Sequence, residues 1–181
     1  KIYVLFNSHN EDTWNVGTEP LYKKYRADLV ERLLIFQEYD AKLNWQSDTT
    51  VLDAMIAFEN ESLFAVTGGK NILEYIVDLG FSVDPHFHQK EGYSYADVAY
   101  LIEQLGVTPS SVVGGSKAFD CGENPSAPVK ATDWYADLEL EDDGYIYGVK
   151  YPGYTWKPEI LSGPATRGHF ADDHTSGAWK P

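Results

Sequence analysis

The chain twice repeats one local pattern, in which a helix-like segment ends at a glycine and a short strand-like segment follows. The segments 70–79 and 95–105 carry apolar residues at helical spacing and end at Gly80 and Gly106. Glycine is favoured just after a helix because the backbone there turns left-handed, at no steric cost to glycine. Strands that alternate with helices of this length form parallel sheets with right-handed crossovers. The repetition therefore predicts an α/β fold.

Other segments extend the same alternation. Short apolar runs rich in β-forming residues predict buried strands, and apolar residues three and four positions apart predict helices. Pro20 suits the first turn of a helix, and Ser47 or Asp48 suits the N-cap of the next one. The predicted strands are 1–6, 41–45, 80–89, 111–113 and 159–163, and the predicted helices are 20–38, 49–60, 70–79 and 95–105.

The pattern changes after Gly115. Residues 135–140 and 145–150 predict two strands joined through an Asp-Gly turn, which is a β-hairpin. An antiparallel hairpin near 135–150 is an insertion on the α/β body. Its tyrosines, together with Trp156, can form a stacking platform for sugar rings, or they can pack against the body. The pattern alone leaves both interpretations open.

Composition narrows the classes of protein and of partner. The 181 residues are 43% hydrophobic, which is enough for a single domain, 1–181, with a sizeable core. The formal net charge of −14, with no basic cluster to offset it, argues against binding to nucleic acid or to an anionic membrane surface. No apolar run approaches the length of a membrane span, so we expect no membrane insertion. One cysteine, Cys121, excludes an internal disulfide framework.

A His-x-His sequence at the end of the predicted strand 80–89 is a candidate metal site. Alternate side chains of a strand share a face, so His86 and His88 can reach one ion. Neutral imidazole is the commonest protein ligand for metals, and a carboxylate from elsewhere would complete a three-ligand site with an open position. The alternative is a pair of hydrogen-bonded histidines in a polar cleft.

The first strand runs into a polar segment that is a second candidate for the site. In α/β folds the loops at the carboxyl ends of parallel strands hold the chemistry. His9, Glu11 and Asp12 fall within four positions there and can supply a ligand and a base, although a solvated polar loop is the alternative. At the end of the next strand, Asp48 can cap a helix or point into a cleft.

The acid pair Glu11-Asp12 after the first strand, followed two βα units later by the sequence LGFSVDPHFH, resembles the polysaccharide deacetylase family, also called the NodB homology group. The resemblance covers about residues 1–115. It implies a distorted or incomplete parallel (β/α)7-like barrel, and removal of N- or O-acetyl groups from a polysaccharide or oligosaccharide with a divalent metal, for which we expect zinc. The last barrel strands have no counterpart, which a truncated or processed chain would explain. A secreted or periplasmic location is favoured.

The resemblance also implies roles for single residues. Glu11 takes the place of the family's general base, usually an aspartate, and Asp12 that of its metal-binding acid. His86 matches the first histidine of the family's H-[ST]-x-x-H motif. Because Lys90 stands where the second histidine is expected, His88 is the candidate for that ligand.

The remaining roles complete the expected site. The family uses a late histidine as general acid, for which His169 is the candidate, with His174 in reserve. The residues expected to contact the carbohydrate are His9, Trp14, Trp45, Asp48 and Trp156.

Three other functions stay open on the sequence. Metal hydrolases of the amidohydrolase or PHP type also use His-x-His, although on the first strand of their barrels. A glycoside hydrolase would set Glu11 or Asp12 opposite another acid, such as Asp48, and would need no metal. A carbohydrate-binding domain could keep a deacetylase-like barrel without catalysis.

Overall fold

The structure, a computed structural model, describes residues 5–10, 15–86, 92–114, 144–162 and 178–179. Its main sheet contains three parallel strands in the order β1-β2-β3. Their bounds are Leu5–Asn10, Lys42–Ser47 and Ser82–Pro85. The register pairs Asn7 with Asn44 and Asn44 with Ser82. The predicted α/β class, with parallel strands, is therefore confirmed.

Helices connect these strands in the predicted alternation. Helix α1 (Glu19–Glu38) joins β1 to β2, and α5 (Tyr95–Gln104) leads from β3 towards β4 (Val112–Gly114). Between β2 and β3 the chain forms helices α2, α3 and α4, with a short 3-10 turn after α3. The bounds of the three helices are Thr49–Phe58, Glu61–Phe64 and Ile72–Asp78, and the turn spans Ala65–Thr67. The sequence predicted α2 and α4, but neither α3 nor the turn.

The remaining strands form two small groups. Strand β4 pairs in parallel with β7 (Ile160–Ser162), which pairs antiparallel with β8 (Ala178–Trp179). A parallel bridge between His86 and Gly114 places β4 beside β3. Strands β5 (Ile146–Tyr147) and β6 (Thr155–Trp156) form an antiparallel hairpin. A small hairpin was predicted, but the pairing described here is between 146–147 and 155–156; the predicted partner 135–140 lies outside the described residues.

One face of the main sheet packs against helices and forms the hydrophobic core. Trp45 and Val83 lie on this face, and Phe6 contacts Phe36 of α1 with ring centroids 5.2 Å apart. The helices contribute apolar residues that are almost fully buried, namely Leu29, Leu33, Leu52, Met55, Ile72, Ile76, Val98 and Ile102. At about 25 cal/mol per Å² of apolar surface, burial of these side chains is the main stabilising contribution. None of the helices among the described residues combines the length and the apolar character that a membrane span requires.

A buried ion pair links α1 to the end of α2. Arg26 donates from Nε to Glu59 Oε1 at 2.6 Å and from Nη2 to Thr67 Oγ1 at 3.0 Å. Tyr22 also donates to Glu59 Oε1. Both charged side chains are at most 5% exposed. Because each charge is paired and hydrogen-bonded, the ion pair fixes the position of these helices at a tolerable desolvation cost.

Strand β1 ends four residues later than the sequence predicted, since it continues past Phe6 through His9 and Asn10. The polar Asn10 is accommodated because its amide donates to the Gln46 carbonyl at 2.9 Å, while its Oδ1 accepts from the Tyr25 hydroxyl at 2.9 Å. Asp48 N–H donates to the Asn10 carbonyl at 3.1 Å. These long-range partners are invisible in the local sequence. They place His9 on a strand instead of in a loop.

Asp97 anchors the segment around the β5-β6 hairpin to α5. Its buried carboxylate accepts backbone N–H groups from Val149 at 3.0 Å, Lys150 at 3.2 Å and Tyr151 at 3.0 Å. It also accepts from Ser94 N–H at 2.6 Å, which closes the capping box of α5. One carboxylate therefore satisfies a helix end and a turn about fifty residues apart.

Replacing Asp97 with alanine should lower the free energy of unfolding by at least about 3 kcal/mol, because several buried N–H groups lose a charged acceptor. Urea unfolding measures this loss, and faster amide exchange at Val149 and Tyr151 would show that the hairpin segment has detached. Asp97→Asn, which keeps one acceptor oxygen, should fall between the wild type and Asp97→Ala. Glu31→Ala, an exposed acidic position of α1, is the control and should change little. Equal stability of Asp97→Ala and wild type would contradict the anchoring role.

Candidate functional site

The second face of the main sheet is polar. Side chains alternate between the two faces along a strand, so every second residue of a strand lies on the same face. Because the three strands pair in parallel register, these residues also stand beside each other on neighbouring strands. Asn44 and Gln46 on β2 thus stand beside residues of the same polar character on both neighbours. The set comprises Asn7, His9, Asn44, Gln46, Ser82, Asp84 and, just past β3, His86.

The centre of this polar face is buried. Gln46, Asp84 and His86 are 0% exposed, and Asn44 is 5% exposed. Polar groups removed from water cost free energy unless they find hydrogen-bond partners. A group of buried polar side chains at the carboxyl ends of parallel strands is therefore a candidate functional site.

Asp84 connects three strands on this face. Its carboxylate accepts hydrogen bonds from the Asn44 amide on β2 and from the Ser110 hydroxyl, which stands just before β4. The Ser110 hydroxyl oxygen in turn accepts from Val112 N–H at 3.1 Å. Burial raises the pKa of Asp84, and the hydrogen bonds from Ser110 and Asn44 offset that effect only in part.

His86 is held through both its backbone and its ring. Its N–H donates to the Ser47 carbonyl at 2.9 Å, and its backbone bridges to Gly114 on the other side. Its Nδ1 lies 3.3 Å from Gln46 Oε1. Three contacts from two neighbouring strands, β2 and β4, therefore hold His86 at the carboxyl edge of the sheet.

Gly114 is required by this arrangement. A Cβ atom at position 114 would lie 2.1 Å from Gln46 Oε1 and 2.6 Å from its Cδ, which is far inside van der Waals contact. Since Gly114 is the last residue of β4, the end of that strand leaves the space that the Gln46 side chain occupies. Any side chain at position 114 would displace the Gln46 amide from the place where it contacts His86.

The imidazole of His9, on β1, lies beside that of His86, which follows β3 on the other side of β2. The two ring centroids are 4.5 Å apart and the ring planes are inclined at 40°. His9 is exposed whereas His86 is buried, so the pair spans the boundary between solvent and the polar interior. The sequence assigned these histidines to different roles, and the structure brings them together.

Two buried polar atoms on this face have no hydrogen-bond partner among the described residues. They are Asn44 Oδ1 and Gln46 Nε2, which belong to neighbouring side chains on the same face of β2. A buried donor or acceptor without a partner costs about 1–3 kcal/mol.

The structure places three of the predicted carbohydrate contacts in buried positions. Trp45 is 0% exposed and Trp156 is 7% exposed. Asp48 is 2% exposed and caps α2 by accepting from Thr50 N–H at 2.8 Å, which is the capping role considered from the sequence. Contact with a carbohydrate remains a prediction for all three, and His9 is the predicted contact that the structure exposes.

Five predicted site residues lie outside the described residues, so their roles remain predictions. They are Glu11, Asp12, Trp14, His88 and His169. Within the described ranges, no cluster of three or more His, Cys, Asp or Glu side chains stands in a metal-binding arrangement. The described part of the site therefore offers a pair of imidazoles, and a third ligand would come from the remaining part of the chain.

Sequence reasoning missed Asn44, Gln46 and Asp84. The signal was present as an alternation of polar residues, since strand β2 reads KLNWQS and β3 continues as SVDPH. A strand whose every second residue is polar has one polar face. Two such strands side by side predict a polar layer, of which only the His-x-His pair was recognised from the sequence.

Comparisons with family models, with curated proteins and with solved structures gave no match to this chain. The resemblance to polysaccharide deacetylases therefore stands on the motif residues alone.

Gly114→Ala should lower the free energy of unfolding by about 1–3 kcal/mol, since the new methyl group overlaps the Gln46 amide. In a Gln46→Ala background the same substitution should cost little, because the overlapping side chain is gone, and a double-mutant cycle from urea unfolding measures this coupling. Gly17→Ala is the matched control, because no atom lies within 4 Å of its added Cβ. A cost at Gly114 that is unchanged without the Gln46 side chain would refute the proposed overlap.

Proposed function

We propose that this protein is a metal-dependent hydrolase that removes acetyl groups from a polysaccharide or oligosaccharide, built as a distorted or incomplete βα-barrel over residues 1–181. The observation that carries the proposal is the meeting of His9 and His86, with centroids 4.5 Å apart, at the carboxyl edge of a parallel sheet. Imidazole pairs at such an edge are suited to binding a divalent ion. The choice of an acetylated carbohydrate as substrate rests on the motif resemblance.

The residues present fit a divalent ion such as zinc. Imidazole nitrogen and carboxylate oxygen are the donors that zinc takes in hydrolases, with one position left open. His86 would be one ligand. Asp12 is the proposed carboxylate ligand, and it follows the last residue of β1, Asn10, by two positions in the sequence. His88 is the proposed second imidazole, and His9, which already contacts His86, is the other candidate for that place.

The protein's own groups would handle the protons of the reaction. A bound ion would polarise the acetyl carbonyl and acidify a water molecule. Glu11 would accept the proton of that water, and His169 would donate a proton to the leaving amine or alkoxide. His9 and Trp14, next to the same edge in the sequence, would contact the sugar, and Asp48 and Trp156 are the further proposed contacts. Trp45 is fully buried on the helix-facing side of the sheet and is not among them.

His86→Ala should abolish zinc uptake and acetate release together, because the ring is the best-fixed ligand of the proposed site. Elemental analysis after zinc loading and desalting, and acetate release from acetylated chito-oligosaccharides and acetylated xylan, measure the two properties. Tyr39→Phe, which is 74% exposed at the end of α1, is the control and should keep both. Wild-type protein that binds no zinc and releases no acetate would contradict the proposal. Acetate release that survives chelation and His86→Ala would favour a metal-free hydrolase instead.

Glu11→Gln should leave zinc content unchanged while lowering the turnover number by about 100-fold or more, since a general base contributes about 100 to 10,000-fold to rate. Zinc stoichiometry and kcat measured on the same preparation separate the two effects. Loss of zinc in this variant would reassign Glu11 to metal binding, and unchanged kcat would remove it as the base.

A further inference from the structure

Gln46 has no role in the function proposed above, although it is completely buried beside a proposed metal ligand. Its side chain lies on the polar face of β2, one strand away from Asp84 in the register. Its Oε1 is 3.3 Å from His86 Nδ1. A glutamine at this place gains no hydrophobic burial energy from its amide, so we asked what the amide does for the imidazole.

The backbone of His86 is already held from both sides. Ser47 accepts its N–H at 2.9 Å, and Gly114 bridges to it from β4. What the backbone does not determine is the orientation of the ring and the nitrogen that carries the proton. In a neutral imidazole one nitrogen donates and the other accepts, and the hydrogen bond made by one nitrogen decides which atom can bind a metal.

We propose that Gln46 is a positioning residue that accepts a hydrogen bond from Nδ1–H of His86 and so presents Nε2 with its lone pair towards the metal. The inference deepens the proposed function and rests on it for the presence of the metal. Metal-binding histidines are generally held in this way by an acceptor on the other ring nitrogen, and loss of that acceptor costs about 10 to 100-fold in metal affinity.

The surroundings of Gln46 are shaped for this contact. Gly114 leaves the space that the amide fills, since a Cβ there would come within 2.1 Å of Oε1. Gln46 and His86 are both 0% exposed, so solvent offers little competition for the hydrogen bond. Gly114 therefore acts through Gln46 on the ring of His86, and the two positions should be coupled in any measurement of that ring.

The test determines which ring nitrogen of His86 carries the proton in the metal-free protein. Nitrogen-15 NMR of histidine-labelled protein, at a pH at which the rings are neutral, distinguishes a protonated from an unprotonated ring nitrogen. The five histidines of the chain are few enough for His86 to be assigned by its absence in His86→Asn. Wild-type His86 should carry its proton on Nδ1. A proton on Nε2 would overturn the proposal, and this measurement needs no variant of Gln46 to fold.

Three variants extend the test. Gln46→Glu replaces the amide with a carboxylate, which can only accept a hydrogen bond, so His86 should keep its proton on Nδ1. If instead the amide of the wild type donates to Nδ1, the tautomer of His86 should change in this variant. Gln46→Leu, of similar size but without an acceptor, should give a mixture of tautomers, and Gly114→Ala should do the same by displacing the amide. An unchanged spectrum of His86 in Gln46→Leu would also overturn the proposal.

Zinc affinity then separates this inference from the proposed function. Competition with a chromogenic chelator should show about 10 to 100-fold weaker zinc binding in Gln46→Leu and near wild-type binding in Gln46→Glu. If the wild type shows the Nδ1–H tautomer but binds no zinc, the proposed function fails while the hydrogen bond stands. If zinc binds equally to the wild type and Gln46→Leu, the proposed function survives and the positioning role of Gln46 is refuted.

Discussion

The parallel register of β1, β2 and β3 is the constraint on which both the core and the candidate site depend. Because side chains alternate across a sheet, this one register places Trp45 and Val83 against the helices and Gln46 and Asp84 on the opposite face. A slip of one residue would exchange the two sets and bury the Asp84 carboxylate among apolar helices. The apolar packing that stabilises the fold therefore also fixes the position of the polar layer.

The polar layer is a cost that the rest of the molecule has to offset. A buried carboxylate with a raised pKa, and two amide atoms without partners among the described residues, stabilise the fold less than apolar side chains would in the same positions. The helical side compensates with a continuous apolar core and with the Asp97 anchor. A cost of this kind is expected where a polar group serves function instead of stability.

The sequence predicted those elements of the fold that depend on neighbouring residues, and missed those that depend on contacts between distant residues. Helix α1 was expected over 20–38 and spans Glu19–Glu38, and the helix expected over 95–105 spans Tyr95–Gln104, because helical periodicity is a local property. The extension of β1 through Asn10 and the pairing of β5 with β6 depend on distant partners, namely Tyr25 and Asp97, and could not be predicted in this way. In the site, the carboxyl edge of the sheet was predicted from the strand pattern, whereas the approach of His9 to His86 requires knowledge of the strand order.

The location of His9 on a strand also determines how the described part of the candidate site is held. His9, Gln46 and His86 stand on or directly after paired strands, so their positions are set by the register and vary little. Groups placed by a sheet suit ion binding, which tolerates only small errors in ligand geometry. The register that packs Trp45 and Val83 against the helices therefore also sets the distance between the two imidazoles of the proposed site.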